Sequence, residues 1–294
     1  MSCLRYNKST DALEKQVMGT KNMQLASERR TIAWMLVSAV LLLLVIRYDR
    51  PSLAQESGPK TFSSPAEASN ALFNAVQEGD EQALESILGA GKELCSTGDE
   101  VEDRLERKRF TQKYEEMHRL VREADGSTLL YVGAENWPFP VPLVLSHGVW
   151  YFDPKAGKQE ILFREVGENE ITAIRVSDAF VMAKQQDKTT ATGDDPISQY
   201  AEKLLADDNT TSPFHGYYFR PARGNSATAN GGKNTAVALV AYPAEYRSSG
   251  VTTFIVTQDG VVREKDLGPK TEKLAPRMEK LNPLASNWQV ATTR

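Results

Sequence analysis

Residues 31–46 read TIAWMLVSAVLLLLVI, sixteen positions without a charge. A helix built from them is apolar on every side, so it belongs in lipid or a translocation channel rather than on a globular surface. Arg29 and Arg30 precede it and Arg47 follows. Its length lies between the roughly 7 to 15 residues of a signal-peptide core and the roughly 20 of a spanning helix. Two readings follow. Ser52-Leu53-Ala54 supplies the small residues that signal peptidase accepts, and cleavage there leaves Gln55 first. Against cleavage stand the long leader and the charges of Arg47, Asp49 and Arg50; a start at Met23 would shorten the leader. Uncleaved, the segment is a single anchor whose basic flank, with Lys8, Lys15, Lys21, Arg29 and Arg30, stays inside. Residues 1–54 are thus expected to be a signal peptide or membrane anchor. Both readings make the remainder periplasmic or extracytoplasmic, secreted or tethered to the inner membrane, with membrane contact only through residues 31–46.

Residues 1–54 hold 8 of the 35 Lys+Arg and 4 of the 39 Asp+Glu, leaving 27 and 35 in the remainder, a net of −8 there. An acidic body is a poor partner for nucleic acid. Cys3 lies in the leader and Cys95 is alone in the body, where it reads as a packed apolar residue. No Cys follows the apolar core to take a lipoprotein anchor. His118, His147 and His215 are far apart and no H-x-x-x-H or C-x-x-C spacing exists, so no metal or cofactor is expected.

After a polar linker at 55–63, Ser64-Pro65-Ala66-Glu67 gives a capping box: Ser64 at the cap, Pro65 at the first helical position, Glu67 reaching back. Ala68, Ala71, Leu72, Ala75 and Val76 continue as one apolar stripe. Ala83, Leu84, Ile87 and Leu88 mark a second helix. Asp99 caps a third, running to about Val121 with Val101, Leu105, Phe110, Tyr114 and Met117 inward. Strands are expected at 128–132, 142–145 and 149–152, the last two turned by Ser146-His147-Gly148. Helical periodicity then returns near Ile161 and from Ile171 to Met182, and again from Pro196 with Ile197, Tyr200, Ala201, Leu204 and Leu205. Strands resume at 214–219, 236–242 and 252–256, the last joined through Asp259-Gly260 to 261–264, and a helix at about 271–281 closes the chain. The pattern is α+β: two α-then-antiparallel-β blocks behind the leader, at 64–167 and 168–294, divided near Gly167.

Few residues suggest chemistry. Gly231-Gly232-Lys233 precedes a strand rather than a helix and reads as a hairpin loop. Trp137-Pro138-Phe139-Pro140 reads as a rigid crossing that wedges two aromatics onto a core, and Tyr242-Pro243-Ala244-Glu245-Tyr246 as a comparable corner. In His215-Gly216-Tyr217-Tyr218-Phe219 the histidine could act as acid or base with Glu245 or Asp259. The simpler reading is a strand with alternate aromatics in a core and the histidine at its edge.

The W-P-F-P-V-P-L, G-V-W-Y-F-D and H-G-Y-Y-F-R runs, and A-L-V-A-Y-P-A-E-Y-R-S-S-G-V-T-T-F-I-V-T-Q-D-G-V-V with its terminal K-D-L-G, together resemble the bacterial exported family known as domain of unknown function 2950. The resemblance spans nearly all of residues 61–288 and brings no assigned catalytic residues. Members of that family often carry a longer insert before H-G-Y-Y; here 205–213 is short. Two further likenesses concern fold alone: the N-terminal block is similar to cone-shaped, nuclear-transport-factor-like domains, and residues 171–268 to pilin-like globular heads. In pilins the apolar helix adjoins the head; here it lies at the far end of the chain, so pilus assembly is not expected.

The expected function is a non-enzymatic envelope protein, a binding or interaction module for an envelope protein partner. A hydrolase-like enzyme using His215 with Glu245 or Asp259 is the alternative, and a carrier of a small apolar ligand in the concave N-terminal half is a third.

Overall fold

The computed structural model describes residues 3–4, 58–89, 91–185, 195–206, 212–221, 237–257, 260–280 and 287–292. The apolar segment 31–46, the cleavage motif at 52–55, Gly231-Gly232-Lys233 and Asp259 lie outside them. The chain forms two compact units, Met1–Pro154 and Lys155–Arg294. Each places helices before antiparallel strands, the α+β class read from the sequence.

In the first unit, α1 (Pro65–Glu78) is capped by Ser64, whose hydroxyl accepts from the Glu67 N–H at 3.2 Å. The Glu67 carboxylate closes the box one residue earlier than expected, on the Ser63 N–H at 2.8 Å. Asp80 caps α2 (Glu81–Leu88) and Asp99 caps α3 (Glu100–Glu116). Two expectations for α3 fail. It buries Asp103, Glu106, Phe110 and Tyr114, while Val101 and Leu105 are 50% and 49% exposed. The inward face is rotated because Asp103 is drawn in by the preceding turn. The helix also stops at Glu116, because residues 118–122 are the edge strand β1 (His118–Arg122), paired with β2 (Thr128–Val132) from His118↔Val132 to Arg122↔Thr128. His-Arg-Leu-Val-Arg places its two apolar residues side by side and carries no alternation that would mark it as a strand.

The sheet runs β1-β2-β4-β5, with β3 (Trp137–Pro138) against β2, β4 at Leu143–Ser146 and β5 at Val149–Phe152. The proline crossing behaves as read. Phe139 is fully buried, its ring edge-on to Phe110, Phe152 and Trp137 at centroid distances of 5.8, 5.8 and 6.4 Å. Cys95 is buried, and Cys3 beside it donates its N–H to the Leu94 carbonyl at 2.8 Å. Both thiols are free; burial raises Cys3 well above the thiol range and Cys95 to about 12.

Asp103 accepts from Ser96 Oγ at 2.5 Å and from Thr97 N and Oγ1, both at 2.7 Å. Burial raises its pKa, but these donors and Arg107 outweigh it and hold the carboxyl below its ordinary value. A group whose folded pKa is depressed stabilises at neutral pH, and that contribution is lost as pH falls through the folded value. Asp103→Asn is therefore expected to cost about 1–3 kcal/mol at pH 7. The gap between wild type and variant should narrow as pH drops below roughly 4. Urea denaturation of the full chain across that range measures both.

In the second unit, α4 (Pro154–Gln185) is one continuous helix of 32 residues. The boundary expected at Gly167 is incorrect: Gly167 lies inside this helix, and the units divide after Pro154. One glycine weakens a helix by only about 1 kcal/mol, too little to break one packed along its length. α5 (Pro196–Ala206) follows, capped by Asp195, which accepts from the Ile197 and Ser198 N–H groups. The sheet β10-β9-β8-β7-β6 is antiparallel throughout, with β6 at Tyr217–Pro221, β7 at Val237–Pro243, β8 at Thr252–Thr257, β9 at Val262–Asp266 and β10 at Gln289–Val290.

Both faces of this sheet are covered. Ala173, Val176 and Phe180 of α4 and Ala201 and Leu204 of α5 pack on Tyr217, Phe219, Phe254 and Val256; Ala275 and Met278 close the other side over Val240 and Ile255. The second cover is a single helical turn, α6 (Thr271–Leu274), continuing as a 3-10 helix at Ala275–Lys280 rather than the regular helix expected. Coverage on both faces explains why all seven residues of β7 are buried. The β8–β9 loop closes on Thr257 N to Val261 O at 3.2 Å and so holds three residues, not two, with Gly260 at φ +85 in the left-handed position.

Candidate functional site

Two His-Gly dipeptides occupy the same kind of turn. His147 and Gly148, at φ 52 and 82, link β4 to β5; His215 and Gly216, at φ 45 and 71, lie between Phe214 and Tyr217, which exchange both backbone hydrogen bonds. Two successive positive φ values define a two-residue type I′ turn, and histidine is among the side chains that tolerate the left-handed region. The backbone therefore explains His215. Its ring is exposed and sits edge-on to Phe214 at 4.6 Å, where partial desolvation lowers its pKa.

Behind this turn lies a polar cluster. Asn169 of α4 donates Nδ2 to the Ser249 carbonyl at 3.0 Å, and Glu170 Oε1 accepts from the N–H groups of Val251 and Thr252, both at 3.0 Å. The fully buried Tyr217 donates its hydroxyl to the Thr252 carbonyl at 2.8 Å. Burial and the neighbouring Glu170 carboxylate both oppose its ionisation and push its pKa far up. Two glycines fit the space these groups leave. A Cβ on Gly216 would stand 2.7 Å from Asn169 Nδ2 and 2.9 Å from Ser249 Cβ, and one on Gly250 2.6 Å from Cε2 and Cζ of Tyr217.

The cluster fixes the loop at residues 244–250. Ala244 N donates to Gly216 O, Arg247 N to Gly250 O, and the Glu245 carbonyl accepts from Ser248 N and Ser249 N. Outward it shows Tyr246, whose hydroxyl donates to Asp266 Oδ2 at 3.1 Å, and the exposed Arg247, whose guanidinium lies 5.5 Å from the Tyr246 ring centroid. Arg247 is held at φ 71, an uncommon conformation for arginine.

Of the residues singled out from the sequence, His215 and Glu245 are exposed side chains with no hydrogen bond or ion pair between them; Asp259 is outside the described residues. Of the polar residues that do converge, the sequence marks Tyr217 only as one of the strand's aromatics, and it does not single out Asn169, Glu170 or Ser249. Asn169 and Glu170 sit in a charged stretch that looks like a solvated helix face. Among the described residues no three His, Cys, Asp or Glu side chains converge as a metal site, and no helix there is long and apolar enough to cross a membrane.

Fold and cluster define a two-unit α+β protein, in which buried polar groups tie a helix, a tight turn and a presented loop together. The chain belongs to the family described as Protein of unknown function (DUF2950), whose model matches residues 59–212 and 205–291. The two matched segments meet at 205–212, within the short stretch before H-G-Y-Y. No curated protein and no solved structure matches the chain.

Proposed function

We propose that this is an exported cell-envelope protein, secreted or tethered through residues 31–46, and that it works as a non-enzymatic interaction module. The loop at 244–250 is its contact element. One observation carries this reading: a loop clamped by Asn169, Glu170 and Gly216 holds Arg247 at positive φ beside Tyr246. Backbone strain persists where surrounding structure enforces it, and it concentrates at functional surfaces. Tyrosine and arginine on a rigid loop contribute contact area with little ordering entropy, and they are the residue types that dominate protein interfaces. The polar groups behind the loop are bonded to backbone, which suits holding a shape more than turning over a substrate. Export rests on the apolar leader.

The test is capture from native envelope by the full chain, read by mass spectrometry. Proteins enriched by wild type should be lost with Tyr246→Ala/Arg247→Ala. They should be retained with His215→Gly, which preserves the turn and removes the imidazole. All three proteins should melt alike. Loss of capture with His215→Gly, an unchanged set with the double variant, or recovery of the protein from the cytosol would each reject the proposal.

A further inference from the structure

On the first unit, the last turn of α1 and one face of α3 border an open surface cleft of about 450 Å³, within the size range of small-ligand sites. Its α3 wall carries Arg104, Arg107, Lys108 and Thr111, spaced i, i+3, i+4 and i+7, so all four point the same way. Val76 and Glu78 of α1 form part of the opposite wall. Three cations thus face a cleft whose lining holds one carboxylate. Arg107 reaches a second, Glu81, only at 3.8 Å. Among the described residues no carboxylate stands within ion-pair distance of Arg104 or Lys108.

Like charges three and four residues apart repel one another, and the body around them is acidic. Arg107 is shared with Asp103 and Glu81, so the positive potential left in the cleft comes chiefly from Arg104 and Lys108. The carbonyl end of α1, closed by Gly79, offsets it with a fraction of a charge. Guanidinium groups on adjacent turns suit an anion with several oxygens, because each can donate two parallel hydrogen bonds. The aliphatic stems of the arginines and lysine offer an apolar rest for the remainder of a ligand.

We propose that this cleft binds a small, multiply charged anion, either a phosphate ester or a polycarboxylate. The occupant differs in chemistry from the apolar ligand expected for this half of the chain, whose interior is filled by Phe110, Phe139 and Phe152. The site is also independent of the loop at 244–250.

Calorimetric titration of the full chain at low ionic strength, with inorganic pyrophosphate and citrate in separate arms and chloride as the control, tests the proposal. One or both probes should bind with submillimolar affinity, and the tighter arm identifies phosphate or carboxylate as the preferred group. Affinity should fall with added salt. Arg104→Gln/Lys108→Gln changes two exposed side chains and should leave the melting temperature unchanged while weakening binding at least tenfold. Glu78→Gln should tighten binding several-fold by removing the one carboxylate in the lining. No binding of either probe, equal binding by the double variant, or no response to Glu78→Gln would overturn the assignment.

Discussion

Phe139→Ala should bring the first unit close to unfolding at room temperature. The side chain is fully buried, and three aromatic rings meet it edge-on. Truncating such a residue typically costs about 3–5 kcal/mol, from lost transfer energy and the cavity left behind. Each edge-to-face partner contributes about 0.5–1.5 kcal/mol beyond buried area. Against a typical domain stability of about 5–15 kcal/mol, that is a large share. The Phe139 backbone also donates to the Leu130 carbonyl at 2.7 Å, so the crossing cannot simply swing in to fill the space. Guanidinium denaturation of the full chain should show an early transition that the wild type lacks, and Phe139→Leu should restore most of the stability. A loss under about 1 kcal/mol would mean that this interior is loosely filled and open to an apolar ligand.

Gly216→Ala is the second large effect, expected at about 2–5 kcal/mol. One part is the left-handed backbone at φ 71, which disfavours any Cβ by about 1–2 kcal/mol. The other is a clash at 2.7 Å with Asn169 and 2.9 Å with Ser249, neither free to retreat because they bond to each other. Forcing extra volume into a filled site costs about 1–3 kcal/mol. Gly148→Ala separates the two parts: it has φ 82, but nothing lies within 4 Å of the new Cβ. It should show only the backbone part. Equal losses at the two positions, measured by thermal and chemical denaturation, would show that the wedge between α4 and the loop contributes nothing.

Much of the fold was legible because local signals agreed with their surroundings. Ser64 and Asp99 cap helices as read, being short polar side chains ahead of helical runs, while the caps Asp80 and Asp195 emerged only in the structure. The strands at 128–132 and 149–152 fall where alternation and the Ser146-His147-Gly148 turn put them. Failures came where tertiary context decides. Asp103 is buried because Ser96 and Thr97 satisfy it, and no periodicity reveals a carboxylate that works inward. Gly167 marks no boundary because packing outweighs propensity. At the site, sequence reasoning weighed His215 for its chemistry, whereas its place follows from backbone geometry. Glu170 was missed because its partners, Val251 and Thr252, lie about 80 positions away.

The sheet edges carry a consequence for behaviour in concentrated solution. A bare strand edge is a template on which a second molecule can pair and start aggregation. Here β1 shows the charged Arg119 and Arg122, and the outer side of β5 is partly taken by Phe62, whose backbone exchanges two hydrogen bonds of 2.8 Å with Trp150. In the other sheet, β6 ends in the exposed Arg220 and in Pro221, which has no N–H to offer, and β10 is only two residues long. Partly folded copies of a chain at high concentration are the species most exposed to such pairing. Edges blunted in this way let each copy finish folding without adding strands to its neighbour.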